Sequence, residues 1–291
     1  MYPFRAVDGS PLPTSIPRAV AILLASLTLS CAHAINYLDP SGPSYIYPHA
    51  AGTAAPATPP PLRVVTFNIE HAIEIARAIQ VLRDSEPLGK PDILSLQEMD
   101  APGTERIAKA LGLNAVYFPS GVHPSHQKDF GCALLSPWPL EHPRKLVLPH
   151  GSRGSGLRRA AVTAVVVRGA QRITAYCVDL PSPLAVSGGS RTEELRVLAA
   201  DANEAAEPVV IAGDFNSHGK LDVLAKAGFT WVTKEVGATV HVRLLGIPLL
   251  GLSYDHVLVK GLQPLTGSPA VGVIEDNRGA SDHNPVWAVL R

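Results

Sequence analysis

Short apolar runs that end in polar residues recur along the chain, and they are the main signal for its structure. The clearest run, Val209–Ala212, is rich in β-branched residues and predicts a buried strand. It continues into Gly213, Asp214, Phe215 and Asn216. Because side chains alternate along a strand, Asp214 and Asn216 are expected to point to the same side at its end. Gly-Asp and Asn-Ser pairs also favour turns, so this stretch alone fits either a polar site or a plain turn.

The same pattern predicts many strands separated by a few helices, with no internal repeat. Apolar residues at helical spacing predict helices over 72–83, 104–111 and 192–204. Two strand-like runs meet around Gly169, which predicts a hairpin. The predicted strands span 63–68, 92–96, 116–118, 131–136, 161–167, 172–178, 209–212, 254–259 and 285–290.

Length and composition fit one large domain without a strong overall charge. The chain has 291 residues, 46% of them apolar, which is enough for a single sandwich-type domain with a sizeable core. Basic and acidic residues balance at 25 each. No global field therefore draws the protein towards nucleic acid or an anionic membrane, although a local basic patch would not appear in these totals.

The N-terminal segment has the features of a signal peptide. Two arginines precede the apolar run Ala19–Leu29, which is shorter than the roughly 20 residues needed to span a membrane. Ala32-His33-Ala34 is a small-x-small pattern, so residues 1–34 are predicted to be removed after Ala34. Lipidation of Cys31 is the alternative. Either outcome places the mature protein outside the cytoplasm, as a secreted, periplasmic or lipid-anchored protein.

Residues 35–61 are predicted to be a Pro/Ala-rich linker or an irregular lead-in to a folded domain over 62–291. They are rich in Pro, Ala, Gly and Ser and lack a sustained apolar period. Three tyrosines in this segment are candidates to pack against the domain surface.

Polar side chains stand at or beside the ends of five predicted strands. Each one alone fits a solvated strand end, but a buried carboxylate is costly unless it is paired or bound to a cation. Five such groups in one domain therefore predict a shared site. Oxygen donors without clustered Cys or paired His favour a hard cation such as Mg²⁺ over zinc. The groups are Asn68 with Glu70, Glu98, Asp214 with Asn216, Asp255, and Asp282 with His283.

These groups belong to five motifs: Phe67-Asn68-Ile69-Glu70, Leu96-Gln97-Glu98, Gly213-Asp214-Phe215-Asn216, Tyr254-Asp255-His256 and Ser281-Asp282-His283-Asn284-Pro285. In order and approximate spacing the chain resembles the endonuclease/exonuclease/phosphatase superfamily over 62–291. That group includes deoxyribonuclease-I-like nucleases, bacterial sphingomyelinases and inositol polyphosphate phosphatases. The resemblance implies an α/β fold, a four-layer α/β/β/α sandwich of two packed mixed sheets flanked by helices, with the site at one edge. It also implies divalent-metal-dependent hydrolysis of phosphate esters, but no particular substrate.

The resemblance implies a metal site for Mg²⁺ (or Mn²⁺). Glu98 corresponds to the principal metal ligand, and Asn68 is expected beside it. Glu70 matches a second acidic position that some members use for metal, and Asp282 is expected next to the metal site. Metal bound to a phosphoryl oxygen stabilises the charge that develops in the transition state.

The resemblance also assigns catalytic roles. Asp214 is expected to orient or deprotonate the attacking water, or to assist the leaving group. Asn216 is expected to hold the phosphate. His283 corresponds to a histidine that acts either as a base or as an imidazolium on the phosphate. Asp255 is expected to pair with it, raise its pKa and fix its ring.

Two positions depart from the family pattern or fall outside it. Asp179 stands where the family usually has a histidine that helps to hold the phosphate, so a donor is lost and negative charge is added. Asp179 as a metal ligand and a slow or specialised site both stay open. The basic segment from His150 to Arg159 partly compensates, and Arg158 is a candidate phosphate contact, with a solvated loop as the alternative.

Two cysteines, Cys132 and Cys177, lie on predicted strands. Those strands are expected to flank the predicted strand 161–167, which would keep the thiols apart. Two buried free cysteines are therefore predicted in place of a disulfide.

The sequence thus predicts a secreted or envelope-anchored phosphoesterase that hydrolyses a phosphodiester or phosphomonoester. The alternative is a phosphate-ligand binding module on the same fold that has lost turnover, with Asp179 as its motivating feature. Nucleic acid, a phospholipid head group and a small phosphate ester stay open as substrates. The apolar stretch Leu244–Leu252 is either a lipid-touching loop or, as we favour, a covered strand. A monomer without a stable protein partner is expected.

Overall fold

The computed structural model describes residues 33–52, 60–217, 221–244, 247–266 and 269–291. All but the last two residues of the predicted signal peptide, including Cys31, lie outside the described residues. Among the described residues, no helix has the length and apolar character needed to cross a membrane.

Two mixed β-sheets form the centre of the described domain. The first has eight strands in the order β1-β5-β6-β4-β3-β16-β15, with β2 paired to β5. Strands β3 and β4 run parallel and the other pairs are antiparallel. Its strands are β1 (Ile35–Asn36), β2 (Tyr45–Pro48), β3 (Leu62–Asn68), β4 (Ile93–Met99), β5 (Asn114–Val122), β6 (Asp129–Ser136), β15 (Val271–Val273) and β16 (Val286–Leu290).

The second sheet has six strands in the order β11-β14-β10-β9-β8-β7. Only β9 and β10 run parallel among its described pairs. Its strands are β7 (Leu140–Gly151), β8 (Arg158–Arg168), β9 (Gln171–Asp179), β10 (Val209–Asp214), β11 (Thr230–Trp231) and β14 (Asp255–Lys260).

Helices cover the outer faces of both sheets. Helices α1 (Ile75–Asp84) and α2 (Ala101–Leu111) share a core with the first sheet, and α3 (Gly188–Asn203) and α4 (Asp222–Lys226) share one with the second. A third core of buried apolar side chains lies between the two sheets. The predicted four-layer α/β/β/α sandwich is therefore confirmed.

Local backbone chemistry moves two helix starts away from the predicted ones. Helix α2 begins at Ala101, earlier than expected, because the Asp100 side chain caps it by accepting from the Gly103 backbone N at 2.7 Å. Helix α1 begins at Ile75, later than expected, because Ala72 has a positive φ of 53° that an α-helix cannot contain.

The first half of the predicted linker belongs to the folded domain. Strands β1 and β2 extend the edge of the first sheet by pairing with β5. The buried ammonium of Lys145 donates to the carbonyls of Tyr37 at 2.7 Å and Gly42 at 2.9 Å. The two strands are short and lie among Pro, Gly and Ser residues, which is why the composition of the segment suggested a linker.

Cys132 and Cys177 are free and buried, as predicted. The expected separation is wrong, because Cys132 lies on β6 and Cys177 on β9, in different sheets that face each other. Burial, together with a hydrogen bond to Cys177, raises the pKa of the Cys132 thiol well above its usual range.

The apolar stretch before Asp255 forms a separate hairpin. Strands β12 (Val240–Leu244) and β13 (Ile247–Leu252) pair with each other as a two-stranded sheet, and Val240 also forms a single bridge to His283. Leu250 in β13 is 56% exposed. The stretch is therefore a strand, as favoured, but it is not covered at that residue.

Helix α3 carries a buried carboxylate that lacks hydrogen bonds. Glu194 is fully buried among the described residues, and neither of its carboxylate oxygens has a hydrogen-bond partner there. Burial raises the pKa of Glu194 to about 7, against the opposing charges of His150 and Arg191. The ionised form is therefore costly in the folded protein.

We expect Glu194→Gln to remove one component of the pH dependence of stability. The folded-state pKa is raised to about 7 from an ordinary 4.5, so the folded protein binds the extra proton and loses stability as the pH rises between those values. The variant should match wild type near pH 4.5 and be more stable above pH 7, by up to about 3 kcal/mol.

Urea unfolding across this pH range checks the prediction. Glu204→Gln, at the exposed end of the same helix, is the matched control and should follow wild type. Parallel stability curves for wild type and Glu194→Gln would contradict the assigned cost.

Candidate functional site

The predicted polar residues meet at one end of the sandwich. The parallel pairs β3/β4 and β9/β10 end there, and the antiparallel strands β14 and β16 begin there. Registers align Asp214 with both Asp179 and Asp255 across neighbouring strands. Strand-terminal residues that are distant in sequence are thus placed side by side: Asn68, Glu98, Asp179, Asp214, Asp255 and His283.

The Asp214 carboxylate links the two sheets. Asn68, from the first sheet, donates through Nδ2 to Asp214 Oδ2 at 3.1 Å. Asn216 donates through its backbone N to Oδ1 at 2.7 Å and through Nδ2 to Oδ2 at 2.9 Å. Burial raises the pKa of Asp214 to about 7; His283 opposes the rise and Asp255 adds to it. Asp214 is thus a fixed carboxylate that can exchange a proton near neutral pH.

Asn216 differs from its predicted role. Its Nδ2 also donates to the carbonyl of Leu180 at 2.9 Å, so both amide hydrogens are engaged within the protein. In this structure Asn216 positions Asp214, and its amide does not face outward to hold a phosphate. Arg191 holds the same turn by donating to the carbonyls of Phe215 and Asn216.

His283 lies between two carboxylates. Its Nδ1 donates to Asp255 Oδ2 at 2.8 Å, and its Nε2 lies 3.7 Å from Asp214 Oδ2. Burial disfavours the charged ring, but Asp255 and Asp214 outweigh it and raise the pKa of His283 well above its usual range. The ring is therefore an imidazolium near neutral pH, as the pairing with Asp255 predicts.

Asn277, which was not predicted from the sequence, stabilises the loop that carries His283. Asn277 donates through Nδ2 to the carbonyls of Ser281 at 2.6 Å and His283 at 2.5 Å. No motif marks Asn277, because the bonds exist only once the loop has folded back. Its effect is to fix the imidazole relative to Asp214.

Three carboxylates lie beside this pair. Asp282 donates from its backbone N to Glu70 Oε2 at 3.1 Å, and His71 donates from its backbone N to Glu98 Oε2 at 3.1 Å. Burial raises the pKa of Glu70, and the charges of Asp282 and Glu98 raise it further. Mutually repelling carboxylate oxygens are the donor set of a hard divalent cation, so the residues present fit Mg²⁺ or Mn²⁺.

Asn68 contacts both halves of the site. Its Oδ1 accepts from the backbone N of Glu70 at 3.0 Å, while its Nδ2 binds Asp214. Asn68 is completely buried. Here it connects Glu70 of the acidic cluster to Asp214.

The backbone is strained where these side chains are placed. Glu70, His71 and Ala72 form one helical turn with φ of 40°, 56° and 53°, and Glu98 and Asn216 have φ of 57° and 48°. Each residue in this left-handed conformation costs of order 1–3 kcal/mol of folding free energy, so it persists only where the surrounding structure holds it. The hydrogen bonds to Asn68, Glu98 and Asp214 supply that support.

Asp179 is paired with an arginine. Arg159 donates through Nη1 to Asp179 Oδ2 at 2.9 Å, and its guanidinium carbon lies 4.3 Å from the centre of the Phe130 ring. Burial raises the pKa of Asp179, and Arg159 opposes that rise. Arg159 thus supplies a half-buried cation beside the site.

The predicted phosphate contact at Arg158 stays a prediction. Side chains alternate along β8, so Arg158 and Arg159 point to opposite faces, and Arg159 is the one that pairs with Asp179. The backbone N of Arg158 donates to Asn36 Oδ1 at 2.8 Å. The strand register was not visible in the sequence, because the segment before Arg158 is rich in glycine and lacks alternation.

Three histidines next to Glu98 were missed. The rings of His71 and His126 are stacked with centroids 4.0 Å apart, and His123 lies 4.7 Å from the first and 4.9 Å from the second. Burial, with the neighbouring rings of His71 and His126, lowers the pKa of His123 to about 4. The prediction of a site without paired histidines is therefore wrong. His123 and His126, in the β5–β6 connection, have the spacing of a ligand pair.

Comparisons with known proteins agree with this fold. A model of the Endonuclease/Exonuclease/phosphatase family matches residues 65–283. The chain therefore belongs to this family, whose members are typically hydrolases of phosphate esters. No curated protein matches the chain.

Solved structures share the fold at low sequence identity. An endonuclease/exonuclease/phosphatase from Beutenbergia cavernae DSM 12333 is 23% identical with a TM-score of 0.60, over 79% of this chain and 71% of that one. Humanized D. rerio TDP2 is 17% identical with a TM-score of 0.61, over 79% and 99%. The human Nocturnin catalytic domain with bound sulfate is 16% identical with a TM-score of 0.57, over 79% and 94%.

The half-buried Arg159 and the buried Asp179 are expected to behave as a coupled pair. Arg159→Ala leaves the buried Asp179 without its cation and should destabilise the protein by about 3–5 kcal/mol, whereas Asp179→Ala leaves a half-buried guanidinium and should cost less. The double variant should lose clearly less than the sum, because neither charge remains.

Urea unfolding of the four proteins in this cycle measures the coupling. The exposed pair Arg278–Asp84 is the matched control, with an expected coupling of at most about 1 kcal/mol. Additive losses for Arg159 and Asp179 would show that the two side chains do not depend on each other.

Proposed function

We propose that this chain is a divalent-metal-dependent phosphoesterase that acts outside the cytoplasm as a monomer. The observation that carries the proposal is the buried array Asp255–His283–Asp214, which lies beside the carboxylates of Glu70 and Glu98. A fixed imidazolium, a carboxylate that titrates near neutral pH and a hard-cation donor set are the parts that phosphate-ester hydrolysis requires. The N-terminal sequence pattern supports the location.

The metal would be held by Glu98 and Glu70, with Asp282 and Asn68 beside them. When bound, Mg²⁺ or Mn²⁺ would polarise a phosphoryl oxygen and reduce the charge that the attacking water meets. Asn68 fixes the geometry between this cluster and Asp214 through its two hydrogen bonds.

The chain's own residues supply the proton chemistry. Asp214 accepts the proton of the attacking water as the bond from water oxygen to phosphorus forms and the bond to the leaving oxygen breaks. His283, charged and oriented by Asp255, donates a hydrogen bond to a phosphoryl oxygen through Nε2. The imidazolium form supports the phosphate-contact role over the role of base.

The alternative, a binding module without turnover, rests on Asp179 in place of a phosphate-binding histidine. The pairing with Arg159 weakens that alternative, because the guanidinium offsets the added negative charge and has further N–H donors. We therefore favour the enzyme.

A phosphate-ester substrate is supported by neighbours of the same fold, but its class is argued from this chain. The D. rerio TDP2 structure contains a single-strand DNA product, and the Nocturnin structure contains a sulfate anion. The balanced net charge of this chain argues against a large nucleic-acid footprint, since phosphate contacts dominate such affinity. A small phosphate ester or a phospholipid head group fits better. Turnover of plasmid DNA, sphingomyelin and inositol phosphates, compared side by side, separates the classes.

We expect the two halves of the site to be separately essential. With Mg²⁺ or Mn²⁺, Glu98→Gln and His283→Gln should each lower the hydrolysis of bis-p-nitrophenyl phosphate by at least about 100-fold, because each removes a charge that acts in the transition state. The readout is kcat/KM at saturating metal.

Matched controls are Glu105→Gln and His142→Gln, both at exposed positions, which should keep wild-type activity. Wild-type turnover no higher than that of the two site variants would favour the binding module. In that case, appearance of activity in Asp179→His would identify the cause.

A further inference from the structure

A histidine cluster opens next to the acidic site and is not used by the proposed hydrolysis. One ring nitrogen of each of His71, His123 and His126 lies within 4.8 Å of the others. His71 and His123 are half-buried and His126 is exposed, so the group is reachable from solvent. His71 and His123 also contact the Phe130 ring, with centroids 5.5 and 5.3 Å away.

The ring nitrogens have unequal partners, which bears on what they can bind. The backbone N of Ser125 donates to His123 Nδ1 at 3.3 Å, so Nε2 is the nitrogen that remains for another ligand. His71 Nδ1 is buried and lies 3.2 Å from Glu98 Oε2, but it has no hydrogen bond of acceptable geometry. A buried ring nitrogen next to a carboxylate without a shared hydrogen is an arrangement that a cation between or beside them would satisfy.

The loop that carries two of the rings is held by hydrogen bonds within the protein. The backbone N of His123 donates to the Lys128 carbonyl at 2.9 Å, and the backbone N of Gln127 donates to the His123 carbonyl at 2.8 Å. Lys128 is itself fixed by Asp100 at 3.2 Å. His71 is fixed from the other side by the strained turn after β3. The three rings are thus presented by two independent pieces of backbone.

We propose that His71, His123 and His126 bind a transition-metal ion of the Zn²⁺ class, with Glu98 as the neighbouring carboxylate. Imidazole nitrogen suits Zn²⁺, Cu²⁺, Ni²⁺ and Fe²⁺, whereas Mg²⁺ prefers oxygen. Three histidines leave the fourth position of a tetrahedral zinc ion open. This site is distinct in donor chemistry from the carboxylate set around Glu70.

The histidine cluster lies next to Glu98, so a metal ion bound there would affect the acidic site. Glu98 contacts His71 on one side and is the expected ligand of the hard cation on the other, so its carboxylate lies between two donor sets. A second cation there adds positive charge next to Glu98 and near the half-buried Arg159. Binding of the metal does not depend on turnover, so the proposal stands or fails separately from the proposed function.

Co²⁺ binding to the metal-free full chain tests the proposal, because tetrahedral Co²⁺ with nitrogen ligands absorbs visible light far more strongly than six-coordinate Co²⁺ with oxygen ligands. We expect one Co²⁺ per chain with tetrahedral absorption, retained in a large excess of Mg²⁺ and displaced by Zn²⁺. His126→Gln and His123→Gln should weaken the affinity by at least about 100-fold, more than loss of an outer-shell partner.

His142→Gln serves as the control and should bind like wild type. Since His126 is exposed, its substitution leaves the fold intact. Loss of the Co²⁺ spectrum on adding Mg²⁺ would overturn the proposal, because the ion would then occupy the carboxylate site. Unchanged affinity in both His123→Gln and His126→Gln would overturn it as well, and would leave ring packing on Phe130 as the role of the cluster.

Discussion

The carboxylate of Asp214 is the constraint on which the rest of the site depends. It is completely buried, at the end of β10, and it accepts hydrogen bonds from Asn68 of the opposite sheet and from Asn216. A buried carboxylate is stable only with such partners or with a nearby cation, and His283 at 3.7 Å supplies the cation. The two sheets must therefore meet in one register for the carboxylate to be satisfied, and that register also brings Glu98 and Glu70 into place.

The sequence predicted well which residues lie together at this end of the sandwich. It predicted less well what each of them contacts. Motif order located Glu98, Asp214, Asp255 and His283, because strand ends carry polar residues that cannot be explained by a core. It did not show that both amide hydrogens of Asn216 are used internally, nor that Arg159 and not Arg158 faces Asp179. Those facts depend on side-chain direction and on the register of β8. The glycine-rich segment before β8 has no alternating pattern from which that register could be predicted. The histidine cluster was missed because His71 joins His123 and His126 only after the strained turn at Glu70–Ala72 has formed.

The fold was predicted to a similar degree. Buried strands such as β3, β10 and β16 have clear apolar runs, and the two-sheet sandwich follows from the family motifs. The edge strand β7 was not predicted, since most of its side chains are half-buried or exposed and charged residues interrupt its pattern. The strands β1 and β2 were assigned to a linker for a different reason: they are short and lie among Pro, Gly and Ser residues, and the connection between them is held by Lys145, which is distant in sequence.

The central claim is that the acidic groups beside the ends of β3 and β4 form a cation site that faces Asp214 of the second sheet and His283 on the loop before β16. Anomalous diffraction from crystals soaked with Mn²⁺ tests it most directly, with Glu98→Gln crystals as the comparison. We expect a Mn²⁺ peak next to the Glu98 carboxylate, on the side that faces Asp214. This peak should be absent from the Glu98→Gln crystals. A Glu98 carboxylate without a peak, or one that lies away from Asp214 and His283, would contradict the account.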